Sequence, residues 1–181
     1  HRNLPPTTPV PERWETATML LVVLADTHVR DGSGRDLPAS VWAAVGGADA
    51  VLHAGDVVGA ELLARLADHA PVYAVLGNND HGLHGVLPAQ RVETFAGARI
   101  GMVHDAGPRA GRAPRLARRF PACDLVVFGH GHEPCDQVEA GVRMVNPGSP
   151  TDRRRQPRCT FGRVEVADGR VIRTEVLPTD V

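Results

Sequence analysis

The stretch MLLVVLADTH, residues 19–28, decides the fold class of this chain. Its apolar run ends abruptly at the polar cluster Asp26-Thr27-His28. Short apolar runs that end in Gly, Asp or Asn are typical of strands buried on both faces. Two later runs have the same form, residues 50–52 before Gly55-Asp56 and residues 72–76 before Gly77-Asn78. The sequence therefore predicts buried strands with polar side chains at their carboxyl ends.

Helical stretches separate these three runs. Residues 39–45 and 60–69 complete the order strand-helix-strand-helix-strand, which predicts a parallel sheet. The second half of the chain carries turn residues instead, at Ala96-Gly97, Ala140-Gly141 and Asp168-Gly169. An arginine-rich helix over residues 112–120 leads into another apolar run at residues 125–128. We therefore expect an α/β protein in which a parallel half joins a mostly antiparallel half.

The composition is that of a globular protein. The chain has 181 residues, of which 43% are hydrophobic and 23% are charged, so it is neither disordered nor a coiled coil. Residues 1–18 are polar and rich in proline, and we expect a flexible N-terminal extension there and a single domain over residues 19–181. The formal net charge of -1 provides no overall field that would attract nucleic acid or an anionic membrane.

Cysteine content and hydropathy indicate the compartment. Cys123, Cys135 and Cys159 are too few, and odd in number, for a disulfide framework, which favours a reducing environment. The longest apolar run, residues 19–25, is far shorter than the roughly 20 residues that cross a bilayer. We therefore expect a cytoplasmic protein with no membrane partner.

Polar clusters follow five apolar runs, and histidine is abundant among them. Nine residues of the chain are histidine, a common metal ligand. Ligands of α/β sheets bind beyond the carboxyl ends of the strands, so clusters scattered along the chain converge there. The candidate metal ligands are Asp26, His28, Asp56, Asn78, His104, His130 and His132. Such a set of oxygen and imidazole ligands is too large for one tetrahedral zinc ion and suits two metal ions that share a carboxylate.

The order of these motifs resembles that of the calcineurin-like metallophosphoesterases. The matching segments are Asp26-x-His28, Gly55-Asp56, Gly77-Asn78-x-Asp80, His104, Gly129-His130-x-His132 and Asn146-Pro147-Gly148-Ser149. The short spacing looks most like the small bacterial and archaeal phosphodiesterase branch, and the retromer subunit of the same fold is also similar. The resemblance covers residues 20–177 and implies a sandwich of two β-sheets, with mixed parallel and antiparallel strands, flanked by helices.

The resemblance also implies a dinuclear metal centre. One ion would be bound by Asp26, His28, Asp56 and His132. The other would be bound by Asp56, Asn78, His104 and His130, so that Asp56 bridges the ions. The implied reaction is attack of a metal-bridging hydroxide on phosphorus, with Asp56, Asn78 and His104 as catalytic residues. We expect manganese first, with iron, zinc, cobalt or nickel as alternatives, because mixed nitrogen and oxygen ligands accept all of them.

Charge counting bears on the substrate. Two divalent ions, two carboxylates, neutral imidazoles and a bridging hydroxide leave a charge of about +1, which a phosphodiester monoanion neutralises and a monoester dianion exceeds. We therefore predict a phosphodiesterase, a metal-dependent hydrolase of small phosphodiester substrates, with nucleic acid a disfavoured partner. The alternatives are a non-catalytic metal-binding scaffold of the same fold, a phosphomonoesterase and a nuclease, and a homo-oligomer stays open.

Two positions depart from the family pattern. Asn79 stands where many relatives carry a histidine that protonates the leaving group, and an amide does not donate that proton. His81 is the alternative acid, although an exposed loop histidine is the interpretation we favour. Asp105 replaces the usual glycine after His104, and the sequence does not decide between a supporting carboxylate and a turn residue.

Basic clusters and one further histidine complete the candidates. The arginines within residues 109–119 and 153–158 predict solvated faces, with a rim for substrate phosphate as the alternative. His53 lies within an apolar run and is predicted to be a hydrogen-bonded core residue.

Overall fold

The computed structural model describes residues 18–181. The predicted extension over residues 1–18 lies outside this part of the chain, apart from Thr18. The described residues form two five-stranded sheets with three α-helices and a short 3-10 helix, His81–Leu83. None of the helices in this part of the chain has the length and apolar character needed to cross a membrane.

The elements follow one another in an order close to the predicted one. They are β1 (Met19–Leu24), α1 (Ala39–Gly46), β2 (Ala50–His53), α2 (Ala60–Ala67), β3 (Val72–Ala74), β4 (Gln90–Phe95), β5 (Ala98–Val103), α3 (Arg112–Arg119), β6 (Leu125–Val127), β7 (Cys135–Glu139), β8 (Val142–Asn146), β9 (Thr160–Ala167) and β10 (Arg170–Pro178).

The first sheet has the order β10-β9-β1-β2-β3. Strands β1, β2 and β3 are parallel, with Leu21 beside Ala50 and Val51 beside Val72, which confirms the predicted strand-helix-strand-helix-strand unit. Strands β9 and β10 form the hairpin predicted at Asp168-Gly169, and β9 pairs antiparallel with the other side of β1. The sheet is therefore mixed, because the last strands of the chain pair antiparallel beside the parallel strands β1, β2 and β3.

The second sheet has the order β4-β5-β6-β8-β7. The predicted hairpins at Ala96-Gly97 and Ala140-Gly141 are present as β4–β5 and β7–β8, so with β9–β10 the second half of the chain is mostly antiparallel, as expected. Within it, β5 pairs parallel with β6, and β6 pairs parallel with β8. Turn residues predict only the pairing within a hairpin, whereas these two pairings depend on longer crossovers, one of them through α3.

The two sheets pack face to face with helices on both outer faces. The core between the sheets includes Leu21, Val23, Leu52, Ile100, Met102, Leu125, Val127 and Val145. On the outer faces, α1 and α2 bury Val41 and Leu66 against the first sheet, and α3 buries Leu116 against the second. Burial on both faces explains why the strands are continuously apolar. The two-sheet sandwich between helices is therefore present as expected.

Candidate metal centre

The site lies where the carboxyl ends of strands from both sheets meet. Most of the predicted ligands there have left-handed backbone conformations. The φ angles are 53° at Asp26, 46° at His28, 56° at Asp56, 73° at His130 and 53° at His132. This conformation costs a non-glycine residue about 1 to 2 kcal/mol, because its Cβ crowds the following carbonyl oxygen. Strain of this kind, concentrated in one place, is typical of a functional site.

Asp26, His28 and His132 form the first group of candidate ligands. The Nε2 atoms of His28 and His132 lie 3.3 Å apart, and their rings stack with centroids separated by 5.2 Å. Nε2 of His132 also lies 3.6 Å from Oδ1 of Asp26. Two unprotonated ring nitrogens that face each other repel unless a proton or a cation lies between them. The arrangement therefore suits a metal ion.

The second group joins Asp56, Asn78, His104 and His130. Oδ1 of Asn78 lies 3.0 Å from Nε2 of His104 and 3.0 Å from Nδ1 of His130. Oδ2 of Asp56 lies 3.5 Å from Nε2 of His104 and 3.6 Å from Nε2 of His28, so it connects this group to the first. All of the predicted ligands thus lie in one continuous cluster.

Asp26 provides the test of whether the cluster fits a cation. The side chain is fully buried, and neither carboxylate oxygen has a hydrogen-bond partner among the described residues. Burial, followed by the nearby charge of Asp56, raises the pKa of Asp26 to about 8. An ionised carboxylate in such a place is strongly destabilising unless a cation compensates it. The cluster therefore fits a metal ion at Asp26.

Two backbone carbonyls determine the tautomers of the buried histidines. Nδ1 of His104 lies 2.8 Å from the carbonyl oxygen of Ala54, and Nδ1 of His132 lies 2.6 Å from that of Asp152. Because a carbonyl only accepts, each Nδ1 donates and each Nε2 keeps its lone pair for the cluster. Burial lowers the pKa of His28 and of His132, which favours the neutral form that binds metal.

Asp56 differs from Asp26 because the chain satisfies its carboxylate. The backbone N–H of Asn79 donates to Oδ1 at 2.8 Å, and the side-chain amide of Asn79 donates to Oδ2 at 2.7 Å. Burial by itself would raise the pKa of Asp56, but these hydrogen bonds and the neighbouring His104 and His28 bring the pKa below its ordinary value. Asn79, which the sequence associated with the leaving group, thus contacts a candidate ligand.

Asp80 organises the site without being one of the predicted ligands. Asp80 is fully buried, and its Oδ2 accepts hydrogen bonds from the N–H groups of Asp56 at 2.9 Å and Gly77 at 2.7 Å. Its Oδ1 accepts from the N–H of Val58 at 2.7 Å. Through these bonds Asp80 joins the loops after β2 and β3, and the Gly77-Asn78-x-Asp80 motif is the sequence feature that indicated it. Gly77 belongs to the same arrangement, because a Cβ there would lie 2.1 Å from Oδ1 of Asp56, so only glycine fits.

The segment Asn146-Pro147-Gly148-Ser149 supports the cluster from the loop after β8. Oγ of Ser149 donates to the carbonyl oxygen of Asp26 at 2.7 Å. Nδ2 of Asn146 donates to the carbonyl oxygen of Gly129 at 3.2 Å. These two bonds attach the loop to those after β1 and β6, which carry four of the candidate ligands, Asp26, His28, His130 and His132.

Three other residues selected from the sequence lie outside the cluster. His53 is fully buried with Nε2 3.0 Å from Oγ1 of Thr27, which confirms a hydrogen-bonded core histidine. Asp105 is exposed, and its Oδ1 accepts from the N–H of Gly107 at 2.7 Å, so it is a turn residue. His81 is exposed at the start of the 3-10 helix, in agreement with the favoured interpretation.

Most of the arginines on and before α3 contact their own chain. The contacts are Arg109 with the carboxylate of Glu133, Arg112 with the carbonyl oxygen of Gly107, Arg115 with that of Ala106 and Arg119 with Oε1 of Gln90. These side chains therefore have structural partners, and Arg109 and Arg112 also line a cavity of about 310 Å³ beside His130.

A cleft of about 630 Å³ opens beside the first ligand group. His28 and Asn79 form part of its wall, together with Arg30, Arg35 and Arg154. Sequence reasoning noted Arg154 within a basic cluster but missed Arg30 and Arg35. Both lie in the loop that begins with Asp26-x-His28, and Arg30 is only two residues after His28, so the sequence already placed it near the ligands. The place of Arg35 beside them depends on the path of the loop.

Comparisons with known proteins agree with this geometry. Residues 19–169 match the family model described as the calcineurin-like phosphoesterase superfamily domain. A probable metallophosphoesterase of Methanocaldococcus jannaschii is 36% identical over 145 residues, 78% of this chain and 71% of that protein.

Two solved structures share the fold. Vacuolar Protein Sorting 29 of Cryptosporidium parvum is similar with a TM-score of 0.72 and 21% identity, over 90% of this chain and 99% of that one. An archaeal phosphodiesterase is similar with a TM-score of 0.65 and 19% identity, over 88% of this chain and 100% of that one. At these identities the likeness concerns the fold alone.

Proposed function

Because this chain belongs to the calcineurin-like phosphoesterase superfamily, we propose that it is a phosphodiesterase that uses two divalent metal ions. The observation that carries the proposal is the continuous ligand cluster in which both oxygens of the buried Asp26 lack donors among the described residues. Family membership makes the chain a metallophosphoesterase, and the proposal adds the number of ions and the class of ester.

The cluster divides naturally between two ions. In the proposal, Asp26, His28, Asp56 and His132 hold one ion. Asp56, Asn78, His104 and His130 hold the other. The position of Asp56 between the two groups supports its assignment to both, since its Oδ2 lies within 3.6 Å of ring nitrogens from each. Manganese is the ion we favour, and iron, zinc, cobalt and nickel suit the same ligands.

Asp56, Asn78 and His104 have different roles in the proposed reaction. Two bound ions would polarise the phosphoryl oxygens and lower the pKa of a shared water enough to supply hydroxide near neutral pH. Asp56 stays ionised because Asn79 donates to both of its oxygens. Asn78 contributes a neutral amide oxygen, and His104 presents Nε2 because Ala54 accepts the proton on Nδ1. Asp56, Asn78 and His104 are therefore the proposed catalytic residues.

A diester fits this set of groups better than a monoester. The proposed centre with hydroxide carries about one positive charge, which a diester monoanion neutralises. Asn79 donates no proton to a leaving group, so esters whose leaving groups depart unaided should react best. The structural relative described as an archaeal phosphodiesterase accords with this choice. We also place the enzyme in the cytoplasm, because the three cysteines are free thiols.

A non-catalytic scaffold is the alternative, prompted by the likeness to Vacuolar Protein Sorting 29. A scaffold does not need a buried carboxylate without donors, nor strained backbone at several ligands. These features favour the enzyme.

The test is metal reconstitution with a substrate panel. Protein stripped with a chelator is loaded with manganese, iron, cobalt, nickel or zinc, and bound metal is counted by elemental analysis. Hydrolysis of bis(p-nitrophenyl) phosphate is compared with that of p-nitrophenyl phosphate. We expect two ions per chain and faster hydrolysis of the diester. Asp26→Asn should abolish both results, whereas Asp68→Asn, at an exposed position, should change neither. Full metal loading without hydrolysis of either ester would support the scaffold.

A further inference from the structure

The cleft beside the ligand cluster is larger than a scissile phosphate requires. It measures about 630 Å³, within the range of roughly 300 to 1,000 Å³ that small-molecule sites occupy. His28 and Asn79 in its wall place it directly against the candidate metal centre. The cleft therefore offers room for the part of a substrate that extends beyond its phosphodiester.

Positive charge dominates the cleft. Its wall contains Arg30, Arg35 and Arg154, with Asp152 as the one carboxylate among the lining residues. Arg154 lies at the edge of contact with that carboxylate, at 4.0 Å. A diester monoanion already neutralises the proposed centre, so it leaves these arginines without a counterion.

The two arginines of the β1–α1 loop have no competing partner. Within the described residues, the guanidinium groups of Arg30 and Arg35 form no ion pair, whereas Arg65, Arg91, Arg109 and Arg173 each pair with a carboxylate. Phosphate is the anion that guanidinium binds most specifically, through paired hydrogen bonds. Arg30 and Arg35 are therefore free to bind a ligand.

The loop that carries these arginines is fixed to the fold at several points. Oγ of Ser33 donates to the carbonyl oxygen of Arg30 at 2.7 Å and accepts from the N–H of Arg35 at 3.3 Å. Oδ1 of Asp31 accepts from the N–H of Glu61 at 3.0 Å, which attaches the loop to α2. A loop held in this way presents its arginines at low entropic cost.

We propose that Arg30, Arg35 and Arg154 form a subsite for a second phosphate group, so that the preferred substrate carries one beside the phosphodiester that is cleaved. This inference rests on the proposed function for the cleaved bond, but the subsite is formed by the chain's own side chains. It makes these arginines specificity-determining residues, and it leaves the chemistry at the ligand cluster unchanged.

The test uses two substrates with the same leaving group. One is the p-nitrophenyl ester of thymidine monophosphate, and the other carries an additional phosphate on the free sugar hydroxyl. In manganese-loaded protein, kcat/KM should be on the order of 10-fold higher for the second substrate. Arg30→Gln combined with Arg35→Gln should remove most of this preference and change kcat/KM for the first substrate less than about 2-fold. Arg155→Gln, at an exposed neighbouring position that lines a different cavity, is the matched control.

A binding measurement separates this inference from the proposed function. Calorimetry on the full chain as purified compares thymidine bisphosphate with thymidine monophosphate. We expect the bisphosphate to bind on the order of 10-fold more tightly, and the double variant to lose that difference. If neither ester is hydrolysed but the binding preference is present, the proposed function fails and the subsite stands. Equal affinities in the unmodified chain, or a preference that the double variant keeps, would overturn the subsite.

Discussion

Asp26 and Asp56 follow neighbouring parallel strands in equivalent positions, and the chain treats their carboxylates in opposite ways. Asp26 has no donor to either oxygen within the described residues, and its pKa is raised to about 8. Asp56 accepts two hydrogen bonds from Asn79, and its pKa is lowered. Burial raises the pKa of both carboxyls, but in Asp56 the hydrogen bonds from Asn79 and the neighbouring His104 and His28 outweigh it.

Because of this difference, we expect the stability of the Asp26 loop to depend on bound metal more than that of the Asp56 loop. The loop of Asp56 is arranged by the chain itself, because Asp80 and Asn79 supply its hydrogen bonds. The loop of Asp26 has its backbone supported by Ser149, but its carboxylate depends on a proton or a cation for compensation. We therefore expect metal binding to stabilise the protein mainly through Asp26.

The largest effect should come from removing the residue that organises the Asp56 loop. Asp80→Ala leaves three backbone N–H groups without their acceptor, at Asp56, Val58 and Gly77, and should lower the free energy of unfolding by about 3 to 5 kcal/mol. Urea denaturation of metal-free protein measures it. Asp49→Ala, which removes an exposed carboxylate that accepts one backbone N–H from Leu20, should cost less than about 1 kcal/mol. Equal losses in both variants would show that Asp80 has no special role.

The pH dependence of stability should reveal Asp26. Its raised pKa means that the folded metal-free protein holds a proton that the unfolded chain has released. This contribution is complete below the unfolded pKa and is lost as pH rises toward 8. Between about pH 6.5 and 8, the free energy of unfolding should therefore fall by about 1 to 2 kcal/mol relative to that of Asp26→Asn.

The histidines act with the opposite sign in that window. The pKa of His53 is lowered by burial to about 3, so its contribution is present above the ordinary histidine pKa of 6.5 and is lost only as pH falls below it. His28 and His132 have lowered pKa values and the same sign. Across the window the free energy of unfolding of Asp26→Asn should rise by up to about 1 kcal/mol, because the unfolded histidines lose their last protons there, and bound metal should abolish the decline in the unmodified protein relative to this variant. A decline that survives in Asp26→Asn would assign it to another group.

A smaller effect should follow from loosening Asp56. Asn79→Ala removes the side-chain hydrogen bond to Oδ2 and keeps the backbone one, so kcat for an aryl diester should fall about 10-fold with little change in KM. Because that bond helps to lower the pKa of Asp56, metal binding should also be lost at a higher pH than in the unmodified protein. An unchanged pH profile would show that Asn79 does not position Asp56.

Asn79→His separates the two roles considered for this position. Like Asn79→Ala, it lacks the amide that donates to Asp56, but it restores the proton donor of the family pattern. Relative to the alanine variant, it should therefore speed an alkyl diester more than an aryl one. Equal recovery of both would exclude a leaving-group role for this position.

The sequence predicted where the candidate ligands of the two loops lie, but not which hydrogen bonds support them. Apolar runs followed by Asp, Asn and His predicted the buried strands and a set of candidate ligands that the structure places close together, because strand ends in α/β sheets share one edge. The role of Asp80 and the Asn79 contact depend on which backbone N–H groups meet a carboxylate, which periodicity does not encode. Arg35 was missed for a related reason, since its place beside His28 follows from the path of a loop, whereas Arg30 is only two residues from His28 and was open to prediction.

Replacing His81 should have the smallest effect, and the replacement tests whether this residue acts as a general acid. His81 is exposed and lines the cleft, and its ring lies 6.4 Å from that of His84. Within the described residues, its side chain makes no hydrogen bond that would position it as a proton donor. His81→Ala should change the rate with an aryl diester less than about 2-fold, because an aryl leaving group departs without an acid and no described contact holds the His81 ring in place. The rate should also depend steeply on the pKa of the leaving group in both proteins, since neither supplies an acid. A shallow dependence in the unmodified enzyme that becomes steep in His81→Ala would instead identify His81 as the general acid.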